Sequence, residues 1–294
     1  MKTLKTIALL FCLAVGASAC HDLEGDNSDF DLGFASGNGG SNPYVDGYDR
    51  LDNSLRLATY NTHRCEGPIT QDPAYDRAHY DMTAKVISLV APDAIALQEL
   101  DEKTTWHRVS QIEELAKRTG MHATFGPAID QRGGKYGNGI LSREKPLSHD
   151  ILSLPNPAQT EARIALVAEF ERFVFIATHF CHKSEVNRTA AATRLNEYAA
   201  EHFQTSDKPV YLAGDLNLNR TTSDAFIELL KSWKIITSND YTMSTGNTRI
   251  DYVLVYTGNQ ASCEVLGAAV PTFSEIDVYT VSDHLPVFVD LKKE

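Results

Sequence analysis

Short apolar runs rich in β-branched and aromatic residues recur from position 51 onward, and each predicts a buried strand. They cover residues 55–60, 94–97, 164–170, 173–177, 210–213, 250–256, 265–270 and 285–289. Only Glu171 and Arg172 separate the third run from the fourth, which indicates a β-hairpin.

Helical spacing of apolar residues appears between these runs at 80–90, 110–119 and 185–203. Ala91-Pro92 ends the first predicted helix and Gly120 ends the second. Strands that alternate with helices favour parallel pairing, whereas the hairpin is antiparallel, so the sheets must be mixed. We therefore predict an α/β (α+β) fold, a four-layer αββα sandwich in which two packed mixed β-sheets are flanked by helices.

Polar residues interrupt the chain where four of the predicted strands end. The interruptions are Asn61, Gln98-Glu99, Thr178-His179 and Gly214-Asp215-Leu216-Asn217. Two further groups adjoin later strands, Arg249-Ile250-Asp251-Tyr252 and Ser282-Asp283-His284-Leu285-Pro286. Because ligands bind where strand ends converge at one edge of a sheet, these groups predict a shared cleft.

The residue types of this set favour metal-assisted hydrolysis. Carboxylates and amides without a cysteine pair favour Mg²⁺, Mn²⁺ or Ca²⁺ over structural zinc. Such an ion can neutralise phosphate oxygens while a histidine or carboxylate takes a proton from water. Each motif alone is more often a turn, a helix cap or a surface pair, so the interpretation depends on the complete set.

The order of the motifs resembles the endonuclease/exonuclease/phosphatase superfamily, which includes pancreatic-type deoxyribonucleases. The matching segments are Asn, Gln-Glu, Gly-Asn-Gly-Ile-Leu-Ser-Arg, Thr-His, Gly-Asp-Leu-Asn, Arg-Ile-Asp-Tyr and Ser-Asp-His-Leu-Pro, and they extend from residue 55 to the C-terminus. The superfamily also includes abasic-site endonucleases, inositol-polyphosphate phosphatases and neutral sphingomyelinases. The resemblance therefore implies phosphoester hydrolysis but leaves the substrate open.

The resemblance implies a divalent ion, Mg²⁺ or else Mn²⁺ or Ca²⁺, held by Glu99 and Asn61. Asp283 would lie near this ion or near a second one. Asp215 and Asn217 would orient the attacking water and the scissile phosphate.

Proton transfer is assigned by the same resemblance. His284 would act as general base while Asp251 fixes its tautomer, and His179 would stabilise charge on a phosphate oxygen. The family leaves open whether His284 or Asp215 takes the proton, and we expect His284 to do so.

Three further residues are candidate phosphate contacts: Asn138, in a predicted loop before residues 140–143, then Arg163 and Tyr136. A turn asparagine and a buried structural ion pair are equally good interpretations of the first two. A local basic rim could be formed by Lys135, Lys183 and Arg188, although solvated charges need no function.

The leading functional hypothesis is an exported, nuclease-like phosphodiesterase that is a monomer. The alternative is a phosphatase or phospholipase C-type enzyme acting on inositol phosphates or sphingolipids. A third hypothesis is an inactive binding protein with the same fold. The net charge of −12 counts against a wide basic face for long nucleic acids.

The first twenty residues predict export. Lys2 and Lys5 precede an apolar run at 7–15, which is too short to span a bilayer. Ala17-Ser18-Ala19 directly before Cys20 resembles a bacterial lipobox, so Cys20 is the predicted lipidation site. We expect a lipoprotein of the cell envelope, anchored in the outer membrane or at the cell surface.

Residues 21–50 are acidic and poor in large apolar side chains, which predicts a flexible tether before a catalytic domain at 51–294. Three cysteines lie in that domain. Cys65 and Cys181 each follow a predicted site residue, so a disulfide between them and unpaired thiols are both open.

Overall fold

The computed structural model describes residues 43–44, 47–67 and 76–293. The predicted signal segment, Cys20 and most of the tether lie outside these residues. Within them, no helix combines the length and the apolar character needed to cross a membrane.

Twelve strands form two six-stranded sheets in the described part of the chain. In chain order they are β1 (Ser54–Asn61), β2 (Ala94–Glu102), β3 (His122–Gln131), β4 (Gly134–Ser142), β5 (Ser148–Ser153), β6 (Ile164–Glu169), β7 (Val174–His179), β8 (Val210–Asp215), β9 (Trp233–Ile235), β10 (Asp251–Tyr256), β11 (Val265–Ala269) and β12 (Val287–Lys292). The first sheet has the order β11-β12-β1-β2-β4-β3, and the second has the order β5-β6-β7-β8-β10-β9.

Four helices cover the outer faces of the sheets: α1 (Asp76–Val90), α2 (Gln111–Thr119), α3 (Glu185–Phe203) and α4 (Asp224–Leu229). One apolar core joins α1 and α2 to the first sheet, and another joins α3 and α4 to the second. A third core lies between the sheets. The predicted four-layer αββα sandwich is therefore confirmed.

The helix boundaries follow from local chemistry. The Ser184 hydroxyl accepts a hydrogen bond from the Asn187 amide and caps the start of α3. Gly120, with φ of 70°, ends α2 in the left-handed conformation that glycine adopts without strain. These signals explain why the second and third predicted helices agree with the structure to within a residue.

Each sheet has one parallel pair at its centre, and every other strand pairing in the two sheets is antiparallel. The parallel pairs are β1 with β2 and β7 with β8. Asn61 is opposite Gln98 in the first pair, and His179 is opposite Asp215 in the second. The predicted polar interruptions therefore lie at the carboxyl ends of two parallel pairs.

The predicted loop around Asn138 is wrong, because Asn138 lies inside β4. The neighbouring glycines permit close packing here instead of marking a turn. A Cβ on Gly137 would lie 2.0 Å from the Gly126 carbonyl oxygen, and one on Gly139 would lie 2.6 Å from the Ile112 side chain. The sequence also failed to predict β3, β5, β9 and α4, whereas the β6–β7 hairpin is confirmed.

A fully buried guanidinium ties the first sheet to the chain that precedes it. Arg56 donates to both carboxylate oxygens of Asp290, at 2.8 and 2.6 Å, and lies 4.0 Å from the Phe288 ring centroid. It also donates to the Tyr48 carbonyl oxygen at 2.9 Å. Tyr44 donates to Asp290 at 2.6 Å, so packed structure includes residues that the sequence assigns to the tether.

Arg56→Met should lower the free energy of unfolding by about 3–5 kcal/mol, because it leaves Asp290 buried without its cation. The Arg56→Met/Asp290→Leu double variant should recover much of this loss. Urea denaturation measures both effects. Lys292→Ala is the control, since it breaks the exposed Lys292–Glu264 pair (2.8 Å) and should cost under about 1 kcal/mol. Equal losses for Arg56→Met and the control would contradict the assignment.

Candidate active site

The carboxylate of Asp215, buried at the end of β8, is the centre of the polar cluster. Its Oδ2 accepts a hydrogen bond from Asn61 Nδ2 at 3.1 Å. The same oxygen lies 3.4 Å from His179 Nε2 and 3.7 Å from His284 Nε2. Asn61 belongs to the first sheet and Asp215 to the second, so this cluster bridges the two sheets.

Gly214 allows Asp215 to reach this position. A Cβ at residue 214 would lie 1.9 Å from the Thr178 carbonyl oxygen on the neighbouring β7. The close approach of the two strands therefore requires glycine. Past the strand end, the backbone N–H of Asn217 donates to Asp215 Oδ1 at 2.9 Å, and this hydrogen bond fixes the plane of the carboxylate.

Glu99 reaches the cluster through an irregularity in β2. It has a left-handed φ of 61°, and the register between β2 and β4 shifts between Leu97 and Leu100. Such a bulge can redirect a side chain at an active site. Glu99 Oε1 accepts from Asn61 Nδ2 at 3.2 Å.

His284 and Asp251 form a buried pair on the other side of Asp215. His284 Nδ1 lies 2.9 Å from Asp251 Oδ2, which also accepts a 2.6 Å hydrogen bond from the Thr242 hydroxyl. The pairing of Nδ1 with the carboxylate leaves Nε2 of His284 directed at Asp215. Asp251 can thus fix the imidazole orientation, as predicted for an orienting acid.

Burial and charge together set the protonation of this pair. Burial lowers the pKa of His284, but the carboxylates of Asp251 and Asp215 outweigh it and raise the pKa to about 10. Burial and the charge of Asp251 raise the pKa of Asp215 to about 7, against the opposing effect of His284. A proton is therefore stabilised between these groups.

His179 differs from His284 because it faces cations. Burial, with the positive charges of Arg163, His284 and His182, lowers the pKa of His179 well below its usual value. The imidazole is therefore neutral near pH 7 and can donate one N–H. Its Nδ1 is buried and has no hydrogen-bond partner among the described residues.

The sequence left open whether Arg163 contacts phosphate or forms a structural ion pair. The structure has features of both. It forms a 2.7 Å ion pair with Glu161 and is only 8% exposed. Its Nη2 lies 3.5 Å from His182 Nδ1, while its Nε is buried without a hydrogen-bond partner in the described chain. A structural ion pair is present, and donor capacity remains for an anion.

The donor set fits a divalent cation. Oxygens of Glu99 and Asp215 converge on one amide nitrogen of Asn61, and Asp251 Oδ1 is buried without a hydrogen-bond partner among the described residues. Ligand atoms of Asp215, Asp251 and His284 lie within 4.8 Å of one another and could also hold a metal ion. The short His284–Asp251 hydrogen bond makes this triad better suited to proton transfer, so Glu99 offers the better oxygen donor to an ion.

Asn61 and Asp283 are the other two predicted metal ligands. Each lies in a different relation to the cluster. The side-chain Oδ1 of Asn61 accepts a hydrogen bond from the His63 backbone amide at 3.1 Å, and the side-chain Nδ2 donates to both carboxylates. Asp283 is exposed beside His284, and its charge contributes to the raised pKa of that histidine. Their roles as ion ligands remain predictions.

Two of the candidate phosphate contacts, Tyr136 and Asn138, lie on β4. Burial and the charge of Glu99 raise the pKa of Tyr136. Asn138 Nδ2 donates to the Ile164 carbonyl oxygen at 3.3 Å, and Asn217 Nδ2 donates to that of Phe180 at 3.1 Å. Both amide groups thus support backbone in the structure.

The predicted basic rim is largely engaged in local contacts. Lys135 pairs with Asp130, and Arg188 pairs with Glu185 at 2.7 Å while donating to the Cys181 carbonyl oxygen. No disulfide joins Cys65 and Cys181, because each is a free thiol.

Sequence reasoning missed Thr242 and His182. Thr242 lies in a connection without strand or helix periodicity, so no pattern singled it out. His182 follows His179 by three residues, and that spacing was the one available signal.

The sequence profile described as the Endonuclease/Exonuclease/phosphatase family matches residues 58–284. The match includes every residue of the cluster described above and most of both sheets. The chain belongs to this family. Members of the family hydrolyse phosphoester bonds, so the chain is a hydrolase of this class.

Solved structures share the fold at low sequence identity. An endonuclease/exonuclease/phosphatase from Beutenbergia cavernae matches with TM-score 0.66 and 22% identity, covering 82% of this chain and 72% of that one. A mannosyl-6-phosphatase from Bacteroides thetaiotaomicron gives 0.64 and 20%, over 81% and 99%. The human Nocturnin catalytic domain gives 0.62 and 18%, over 83% and 96%. No curated protein sequence matched the chain.

Mg²⁺ or Mn²⁺ added to metal-free protein should stabilise it, by about 2.7 kcal/mol at a hundredfold excess over Kd. Glu99→Gln should lose most of this gain, because it removes one charged oxygen donor. Thermal unfolding with and without the ion measures the difference. His149→Ala, at an exposed histidine in β5, is the control and should keep the full gain. No stabilisation of the wild type would contradict the ion site.

Proposed function

We propose that the protein is a metal-dependent phosphodiesterase that hydrolyses its substrate by in-line attack of water. The observation that carries this proposal is the convergence of Asn61, His179 and His284 on the Asp215 carboxylate. This places a proton acceptor, a neutral N–H donor and carboxylates together at one edge of both sheets. The arrangement offers a group for each charge that develops during phosphoryl transfer.

In the proposed reaction the water oxygen bonds to phosphorus as the bond to the leaving oxygen breaks. The water proton passes to Nε2 of His284 in its neutral form, whose raised pKa makes it a strong base, while Asp251 holds Nδ1 and stabilises the imidazolium that results. Asp215 orients the water, and Asn217 holds the Asp215 carboxylate in place. The leaving oxygen departs with the electron pair of the broken bond and is protonated from solvent.

His179 and the ion act on the phosphate rather than on the water. The neutral His179 donates a hydrogen bond to a non-bridging oxygen, where negative charge grows in the transition state. A divalent ion held by Glu99, with Asn61 and Asp283 as further candidate ligands, would neutralise charge on the phosphate. We propose Mg²⁺, with Mn²⁺ and Ca²⁺ as the alternatives.

A phosphatase is the second candidate. Mannose 6-phosphate is included among the test substrates, because a mannosyl-6-phosphatase shares the fold. Inositol phosphates and sphingomyelin are the substrates expected if the protein is instead a phosphatase or phospholipase C-type enzyme.

His284→Ala should lower kcat by about 10²–10⁴-fold, since it removes a general base. The assay compares hydrolysis of plasmid DNA, RNA, bis-p-nitrophenyl phosphate, mannose 6-phosphate, inositol phosphates and sphingomyelin with and without Mg²⁺. His149→Ala is the matched histidine control and should retain wild-type rates. Full activity in His284→Ala would refute its assigned role, and activity after chelation would refute the metal-dependent mechanism.

We also propose that the enzyme is an exported lipoprotein whose Cys20 carries the lipid. The support is the basic start, the short apolar run and the small residues before Cys20. An acidic segment directly after the modified cysteine would then separate the enzyme from the membrane.

Cells that express the full chain should incorporate labelled fatty acid into it, and Cys20→Ala should abolish the label. Cys263→Ala is the control and should keep the label, because it changes a cysteine far from the lipobox. Label retained in Cys20→Ala would overturn the anchor assignment.

A further inference from the structure

Two arginines outside the reaction scheme, Arg64 and Arg132, contact the ring of one tryptophan, Trp106. The guanidinium carbon of Arg132 lies 3.6 Å from the Trp106 ring centroid, and that of Arg64 lies 5.5 Å from it. The Arg64 guanidinium also lies 5.3 Å from the ring of Tyr136. Cation–π contacts with these aromatic rings stabilise the positions of both guanidinium groups.

Backbone conformation and hydrogen bonds hold the segments that carry Arg64, Trp106 and Arg132. Residues 63–65 all have positive φ, and the Gln111 side chain donates to the Arg64 carbonyl oxygen at 2.5 Å. The Thr105 amide donates to the Arg132 carbonyl oxygen at 3.0 Å, which joins the β2–α2 loop to the β3–β4 hairpin. Three separate segments therefore present the two guanidinium groups.

Neither arginine forms an ion pair within the part of the chain that the structure describes. The Nε atom of Arg64 is buried and has no hydrogen-bond partner there. The nearby acids Asp101 and Glu66 both contact His107, at 2.7 and 3.5 Å. Both guanidinium groups are thus available to an anion.

Arg64 is the residue of this set that lies nearest in sequence to the residues of the candidate active site. Arg64 follows Asn61 by three residues, and Asn61 contacts both Glu99 and Asp215. Tyr136, which packs under Arg64, is paired in register with Asp101, two residues beyond Glu99. An anion held by Arg64 would therefore lie at the end of the first sheet that carries Asn61 and Glu99.

We propose that Arg64, Arg132 and Trp106 form a subsite for a second phosphate of the substrate. Guanidinium groups bind phosphate through paired, charge-assisted hydrogen bonds. Trp106 is a positioning residue, because Arg132 covers its ring and that face is closed to a stacked base. The inference rests on the proposed function and names its substrate class, molecules with two phosphate groups. The second phosphate could belong to a nucleic-acid backbone or to a small bisphosphate.

Binding is measured first, in the His284→Ala background, where turnover should be at least about a hundredfold slower. With Mg²⁺ present, thymidine 3′,5′-bisphosphate should bind about tenfold more tightly than thymidine 5′-monophosphate. Arg64→Gln and Arg132→Gln should each reduce this preference, and the double variant should bring it within about twofold. Trp106→Leu should reduce it and Trp106→Phe should restore it.

Arg172→Gln is the matched control, because Arg172 is an exposed arginine in the β6–β7 turn. It should leave the preference intact. Circular dichroism establishes that each variant is folded before binding is compared. Equal binding of the two ligands by the parent protein, or a preference that survives in the double variant, would overturn the subsite.

Turnover then distinguishes the source of the second phosphate. In otherwise wild-type protein, kcat/KM is compared for the dinucleotides pTpT and TpT, and for fructose 1,6-bisphosphate and fructose 6-phosphate. A gain with the first pair supports a nucleic-acid backbone, and a gain with the second supports a small bisphosphate. No gain with either pair overturns the subsite. If no phosphoester is hydrolysed at all, the proposed function fails first.

Discussion

The hydrogen bond from Asn61 to Asp215 is the constraint on which the site depends, because it joins one sheet to the other. Asp215 is a buried carboxylate, and an isolated charge in such a position would be strongly unfavourable. Asn61, His179 and His284 surround it with polar atoms, so the charge is tolerated only when both sheets are correctly packed. The fold and the chemistry of the site are thus coupled through this one carboxylate.

The same geometry explains why two separate sheets can build one cleft. Each sheet has a single parallel pair at its centre, and the two pairs direct their carboxyl ends to the same edge. Antiparallel β10 then brings Asp251 opposite Asp215 in register. The segment before β12 adds His284, which bonds to Asp251. Every participant is therefore held by a strand or by the residues that immediately adjoin one.

Much of this arrangement could be predicted from the sequence, because polar residues that interrupt buried strands are easily recognised. Glu99, His179 and Asp215 each stand where an apolar run ends, and the structure brings them together. Of the strands that were missed, β3 and β4 are interrupted by glycine, β5 is largely polar and β9 is only three residues long. β4 illustrates the reason, since the glycines beside Asn138 serve close packing rather than a turn. The contact of Thr242 with Asp251, nine residues further along the chain, joins a loop to a strand and leaves no periodic signal.

The central claim is that Asn61 and Asp215 act as one unit across the sheet interface. A double-mutant cycle on kcat/KM tests this directly, with Asn61→Ala, Asp215→Ala and the combined variant. If the two residues act together, the double variant should lose little more activity than the worse single variant. If the losses in transition-state free energy simply add, the two residues act independently and the account is contradicted.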